Sequence, residues 1–232
     1  MRLNKILAVG CLILGFPAAS FGETFNQDSL WGTKPAPQAA GAFERTVTSI
    51  SKNEELANTR RLLNLANSKI AVEPNNDRYY SARAQCYRDL DQLSLALADI
   101  DKAINLNGRV GEYYSIRASI KGRLKDYVAE VKDLNVAISM GPASGPLYRR
   151  RAGALALLRR FDDSLIDADL AVKLEPNSAE AYAVRGTTRY FLHDYTGAVS
   201  DCTKAESIQP NNTLVLQLRS VLKTVSAPTD RH

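Results

Sequence analysis

Histidine is nearly missing from this chain, with only His193 and His232 present. No His–Asp–nucleophile set and no histidine-based metal cluster can be assembled from two such residues with any specificity. Glycine-rich phosphate loops are absent as well. Asp99/Asp101 and Asp167/Asp169 alternate, but no turn glycine and no bidentate glutamate follow them, so a calcium loop is unsupported. These gaps exclude the common enzyme constellations. The expectation is a protein that is not an enzyme, with no cofactor and no metal.

Long apolar runs are lacking too. The longest, Ile6 to Phe16, is too short to cross a bilayer as a helix. Arg2 and Lys5 precede it, and the small residues Pro17-Ala18-Ala19-Ser20 with Gly22 follow. That order predicts a secretory signal peptide over 1–22, cut after Gly22, and hence a periplasmic or secreted protein with no transmembrane segment. Removing 1–22 takes away two positive charges and lowers the net charge from +5 to +3. A chain so weakly basic gives no argument for nucleic acid.

What the chain has is repetition. Tyr80-Ser-Ala-Arg83-Ala84, Tyr114-Ser-Ile-Arg117-Ala118, Tyr148-Arg-Arg-Arg151-Ala152 and Tyr182-Ala-Val-Arg185-Gly186 recur every 34 residues without an insertion. A period of this length signals stacked helix pairs. The frame is 77–110, 111–144, 145–178 and 179–212. In the third copy, Pro146 opens a helix that carries Tyr148, Arg151, Ala152 and Leu155 at spacings of three and four. Arg159-Arg160 is the turn. Phe161, Leu165, Ala168, Ala171 and Val172 line a second helix that Pro176 stops. Residues 23–42 have no helical or strand period and are read as a flexible linker. Residues 43–76 are either a degenerate first repeat or an N-terminal capping helix. Residues 213–224 are read as a C-terminal helix that covers the last repeat, and 225–232 as a disordered tail.

These residues resemble the tetratricopeptide repeat (TPR) family. The small residue at repeat position 8, the large one at 17, the alanine at 27 (Ala103, Ala137, Ala171, Ala205) and the proline at 32 all match. Glu130 departs from the pattern at position 20, where Ala96, Ser164 and Ala198 are small. The resemblance implies an all-α, right-handed superhelical solenoid of antiparallel helix pairs. Cys86 and Cys202 then fall in the first and fourth repeats, too far apart for a disulfide, and are read as small buried residues.

Arg83, Arg117, Arg151 and Arg185 stand at position 7, and Asp99, Asp133, Asp167 and Asp201 at position 23. Antiparallel helices in a hairpin bring these positions together. One bidentate Arg–Asp pair per repeat is expected, a structural column rather than a ligand ladder. Counting the column, the first helices carry net +7 and the second helices −6; without it the balance is +3 against −2.

In the family, ligands lie along the concave face of the first helices. The resemblance therefore implies a partner-binding set here of Arg78, Ser81, Gln85, Arg88, Ser115, Ser119, Arg123, Arg149, Arg150, Thr187 and Tyr190. Small side chains leave room for a peptide backbone, the arginines offer planar donors to carboxylates, and Tyr190 an apolar end. The expected partner is a protein or peptide of acidic character. The alternative is a structural subunit that forms homo-oligomers through its terminal helices.

Overall fold

The computed structural model describes residues 37–226. Among them there are ten α-helices and no strand. α1 runs Pro37–Val72. Four hairpins follow: α2 (Asp77–Asp89) with α3 (Leu93–Leu106), α4 (Gly111–Arg123) with α5 (Tyr127–Met140), α6 (Gly145–Leu157) with α7 (Phe161–Leu174), and α8 (Ala179–Phe191) with α9 (Tyr195–Ile208). α10 spans Thr213–Ser226. The chain divides between Ser51 and Lys52 into two compact units. Of the first, residues 37–51 are described and are helical. The four hairpins and α10 lie in the second. Residues 1–22, read above as a signal peptide, residues 23–36 and residues 227–232 lie outside the described residues.

Two boundaries differ from the sequence reading. Residues 37–42, assigned to the linker, are helical. Pro37 opens the helix where its missing N–H costs nothing, and Ala39 and Ala40 are strong helix formers. Residues 225 and 226, assigned to the tail, also belong to a helix. The open choice over 43–76 falls to a single helix, since α1 has no internal turn. Each repeat turns through a left-handed residue at position 15: Asp91, Lys125, Arg159 and His193, with φ of 61°, 62°, 61° and 64°. Each turn is closed by a pair of backbone bonds such as Asp91 N–H to Arg88 C=O and Gln92 N–H to Tyr87 C=O, a Schellman cap. Ala57 occupies the matching place in α1, where the helix continues.

The helices approach closely because their contact residues are small. Ala84, Ala118 and Ala152 at position 8 and Ala96 and Ala198 at position 20 are fully buried. Ser164 keeps the same place with a hydroxyl and satisfies it, donating to the Ala152 carbonyl at 2.8 Å and lying 2.8 Å from Thr188 Oγ1. Among the described residues, Ile100, Ile120, Leu134 and Val215 are the largest apolar side chains that are wholly enclosed. Cys86 and Cys202 are free and buried, and burial raises both thiols.

The position-7 arginines form the expected pairs. Arg83 Nε and Nη2 donate to Asp99 at 2.6 and 2.8 Å. Arg117 holds Asp133 at 2.9 and 2.7 Å, Arg151 holds Asp167 at 2.6 and 2.7 Å, and Arg185 holds Asp201 at 3.0 and 2.6 Å. Each guanidinium also lies over the position-4 tyrosine three residues earlier, 5.4–5.6 Å from the ring centroid. That cation–π contact is the physical content of the recurring Tyr-x-x-Arg.

The column has a third member that the repeat motif does not announce. Nη1 of each arginine reaches back sixteen residues, to Asn67, Asp101, Asn135 and Asp169 in turn. Where that residue is an aspartate, a second cation joins: Lys121 Nζ is 3.1 Å from Asp133, and Arg189 Nη1 is 2.9 Å from Asp201. The first and third nodes thus hold one acid and one base. The second and fourth hold two of each. All four nodes are neutral, which limits the cost of burying charge. Asn67 brings the end of α1 into the same column, so α1 enters the solenoid in the register of a second helix.

Candidate functional site

The first helices of the second and third repeats border an open groove of about 650 Å³. Small residues make its floor. A Cβ built on Gly153 meets nothing within 4 Å, so the space before it is empty. Of the residues assigned to partner binding, Arg88, Ser115, Ser119, Arg123, Arg149 and Arg150 line the groove. Arg78, Ser81, Gln85, Thr187 and Tyr190 do not.

Several of those eleven have other employment. Ser81 is buried, so it offers nothing to a partner. Ser119 is buried too and accepts from Arg88 Nη1 at 3.2 Å. Ser115 and Thr187 turn their hydroxyls back onto the carbonyls of Glu112 and Ala183, both at 2.8 Å. Tyr190 packs edge-on to Phe191 and Tyr195 and against the cluster of Ala198, Cys202, Leu218 and Leu222. It is half-buried, packed against Leu218 and Leu222 of α10, a contact that a single repeat does not reveal. Arg78 is exposed at the start of α2, apart from the groove, and only its backbone N–H is tied, to Asn76 Oδ1.

The arginines of the groove are not a bare positive wall. Arg88 binds Asp89 at 2.9–3.0 Å. Arg123 binds Asp91 at 2.9 Å and donates to the Arg88 carbonyl. Arg149 Nε stands 3.5 Å from Glu175 Oε2, and both atoms are buried without a hydrogen bond. Arg150 Nε donates to Glu130 Oε1 at 2.8 Å. Each cation has a carboxylate from its own chain, so the strength of the acidic-partner argument falls. What remains is the outward part of each guanidinium, most of all on Arg123 and Arg150.

Glu130, the one departure at position 20, is explained here. Its side chain is only 6% exposed. A Cβ on Gly122 would lie 2.5 Å from Glu130 Oε2, so the glycine is what admits the carboxylate. Arg150, from the next repeat, closes it from the other side. Burial raises the Glu130 carboxyl above its ordinary value, and the Arg150 bond opposes that. The sequence signal was the coincidence of an oversized residue at position 20 with a glycine at position 12 of the same repeat. The floor also has an apolar part that sequence reasoning missed: Leu147, Leu157, Val184 and Leu214. Leu157 is 61% exposed. Leu214 reaches the groove because α10 stands where a fifth first helix would.

Among the described residues no three metal-binding side chains come together, and no helix is long and apolar enough to cross a membrane. His193 sits at a turn with Nδ1 2.9 Å from the Tyr195 hydroxyl.

No protein-family model and no curated protein matches the sequence. Solved structures do match the fold. YrrB, a TPR protein with an unusual peptide-binding site, superposes with a TM-score of 0.60 at 17% identity over 72% of this chain and 86% of its own. MamA superposes with 0.59 at 17% identity, over 69% of this chain and 87% of its own. MamA 41-end from Desulfovibrio magneticus RS-1 gives 0.61 at 16% identity, over 70% and 97%. With the 34-residue period and the hairpin geometry, these place the chain in the TPR solenoid fold.

Proposed function

We propose that this protein is an exported interaction scaffold that holds an extended segment of a partner protein in the groove over its second and third repeats. The observation that carries the reading is the open space before Gly153, walled by side chains already fixed by ion pairs. Prepaired arginines are preorganised. They present a planar donor edge without losing side-chain freedom on binding. The likeness to YrrB supports a peptide as the occupant. The mixed charge of the wall favours a segment with a carboxylate beside Arg123 or Arg150 and an apolar side chain over Leu157. A strongly acidic ligand is not required. Export rests on the order of charge, apolar run and small residues over 2–22, and N-terminal sequencing of the mature protein tests it.

Gly153→Trp tests the groove. The side chain enters empty space, so the fold is kept while the groove is filled. Affinity capture from the cell envelope is compared with wild type, Arg150→Glu and the outward-facing Lys102→Glu. Interactors lost with Gly153→Trp and Arg150→Glu but kept with Lys102→Glu support the reading. The same set captured by all four proteins refutes it.

A further inference from the structure

α10 is in phase with the first helices of the repeats. Arg219 falls 34 residues after Arg185, Leu216 after Tyr182, and Ser220 after Gly186. Its inner face behaves as a first helix should. Val215, Leu218 and Leu222 are buried on the α8–α9 hairpin. Asn212 caps it, accepting from Leu214 N–H at 3.0 Å.

Its second face differs from every other first helix. In the repeats, the face at positions 4, 7 and 8 is covered by the repeat's own second helix. The position-7 arginines are 17–21% exposed and the position-8 residues are buried. On α10, Ser220 is exposed, Leu216 is 46% exposed and Arg219 is 53% exposed. Among the described residues Arg219 has one ionic contact, Glu206 of α9 at 3.2 Å, and no bidentate aspartate like those of its four counterparts. Among the described residues no second helix follows α10.

The complement of this face is written three times in the chain, the second repeat departing from it at Glu130. A second helix that covers Arg at position 7 and a small residue at position 8 carries an aspartate at 23. Small residues stand three before it and four after, as in Ala96/Asp99/Ala103, Ser164/Asp167/Ala171 and Ala198/Asp201/Ala205. We infer that the exposed face of α10 receives an amphipathic helix of another protein with this pattern. Its aspartate takes the Arg219 guanidinium, its small residues lie against Ser220, and its apolar edge covers Leu216. A second copy of this chain is the poorer occupant. The second helices are engaged in their own hairpins, and α1 brings Leu62 and Leu65 to the places of the small residue and the aspartate.

The probe is a fluorescent peptide of residues 160–176, which holds Ser164, Asp167 and Ala171, titrated against the full-length mature protein by anisotropy. Saturable binding is expected. Arg219→Asp weakens it at least about tenfold, the loss of one charge-assisted pair. A peptide with Asp167→Arg restores binding to the Arg219→Asp protein. Leu216→Asp also weakens binding, and Gly153→Trp leaves it unchanged, which separates this face from the groove. All positions changed on α10 are exposed, and an unchanged melting temperature shows that the helix is kept. Absent saturable binding, equal binding by Arg219→Asp, or a wild-type dimer that Leu216→Asp splits each overturn the inference, the last in favour of self-association.

Discussion

Asp133→Ala is the sharpest test of the column. The Asp133 side chain is 5% exposed and accepts from Arg117 Nε and Nη2 at 2.9 and 2.7 Å, with Lys121 Nζ at 3.1 Å. Arg117 also holds Asp101 at 2.8 Å, a carboxylate far more open to water. Removing Asp133 leaves two cations on one aspartate and turns a neutral node into one of net +1. Breaking a buried pair by deleting one partner costs about 3–5 kcal/mol; the cations here keep about a fifth of their exposure, which favours the lower end, about 3 kcal/mol. The comparison residue is Asp126, outside the column. It is not inert, because its side chain accepts from Ala129 N–H at 3.0 Å and caps α5. Losing such a cap costs about 1 kcal/mol. The difference, about 2 kcal/mol, corresponds to roughly 4–8 °C in melting temperature for a folded region of this size. Thermal unfolding followed by circular dichroism reads it. A second arm checks the charge count: Lys121→Met restores neutrality in the Asp133→Ala background and recovers part of the loss, while in the wild type it gives no gain. Equal melting temperatures for Asp133→Ala and Asp126→Ala, or no coupling between Asp133 and Lys121, would refute the reasoning.

Three further outcomes are expected. Gly153→Ala raises stability by about 0.5–1 kcal/mol, since the helix gains propensity and the Cβ meets nothing, whereas Gly122→Ala lowers it by displacing Glu130; denaturant midpoints compare them. The Tyr113 hydroxyl donates to Asp77 at 2.8 Å, and burial first and that bond second push its pKa from 10.0 up to about 12. Between those two values the unfolded chain has lost the proton and the folded chain keeps it, so stability falls as pH rises through that window; tyrosinate absorbance shows the late titration, and Tyr113→Phe removes this share of the alkaline loss. Glu130 is raised by burial, so the folded state binds its proton first and this group's contribution to stability improves as pH falls through its folded value toward the unfolded one near 4.5. Glu130→Gln flattens that share of the pH profile measured by urea unfolding, and an unchanged profile contradicts the assignment.

Local contacts were legible in the sequence. Tyr80 with Arg83 and Arg83 with Asp99 lie within one hairpin, and the 34-residue period repeats them until the pattern is unmistakable. The turn at Arg159-Arg160 was legible, but its left-handed residue at position 15 was not, since Asp, Lys, Arg and His stand there without a glycine; the Schellman bonds rather than the residue type make it. The groove was half legible. Its floor follows from small residues at fixed positions, but its charge does not.

By itself, then, the sequence determined the helix pairs, their register and the Arg–Asp column, because each depends on spacings inside a single repeat. Tertiary structure alone decided what each arginine is free to do. Arg150 meets Glu130 across a repeat boundary, Arg123 meets Asp91, and Tyr190 packs half-buried against α10. Those contacts join residues on successive hairpins, and the lateral stacking of helices sets them, a geometry that no one copy of the repeat encodes.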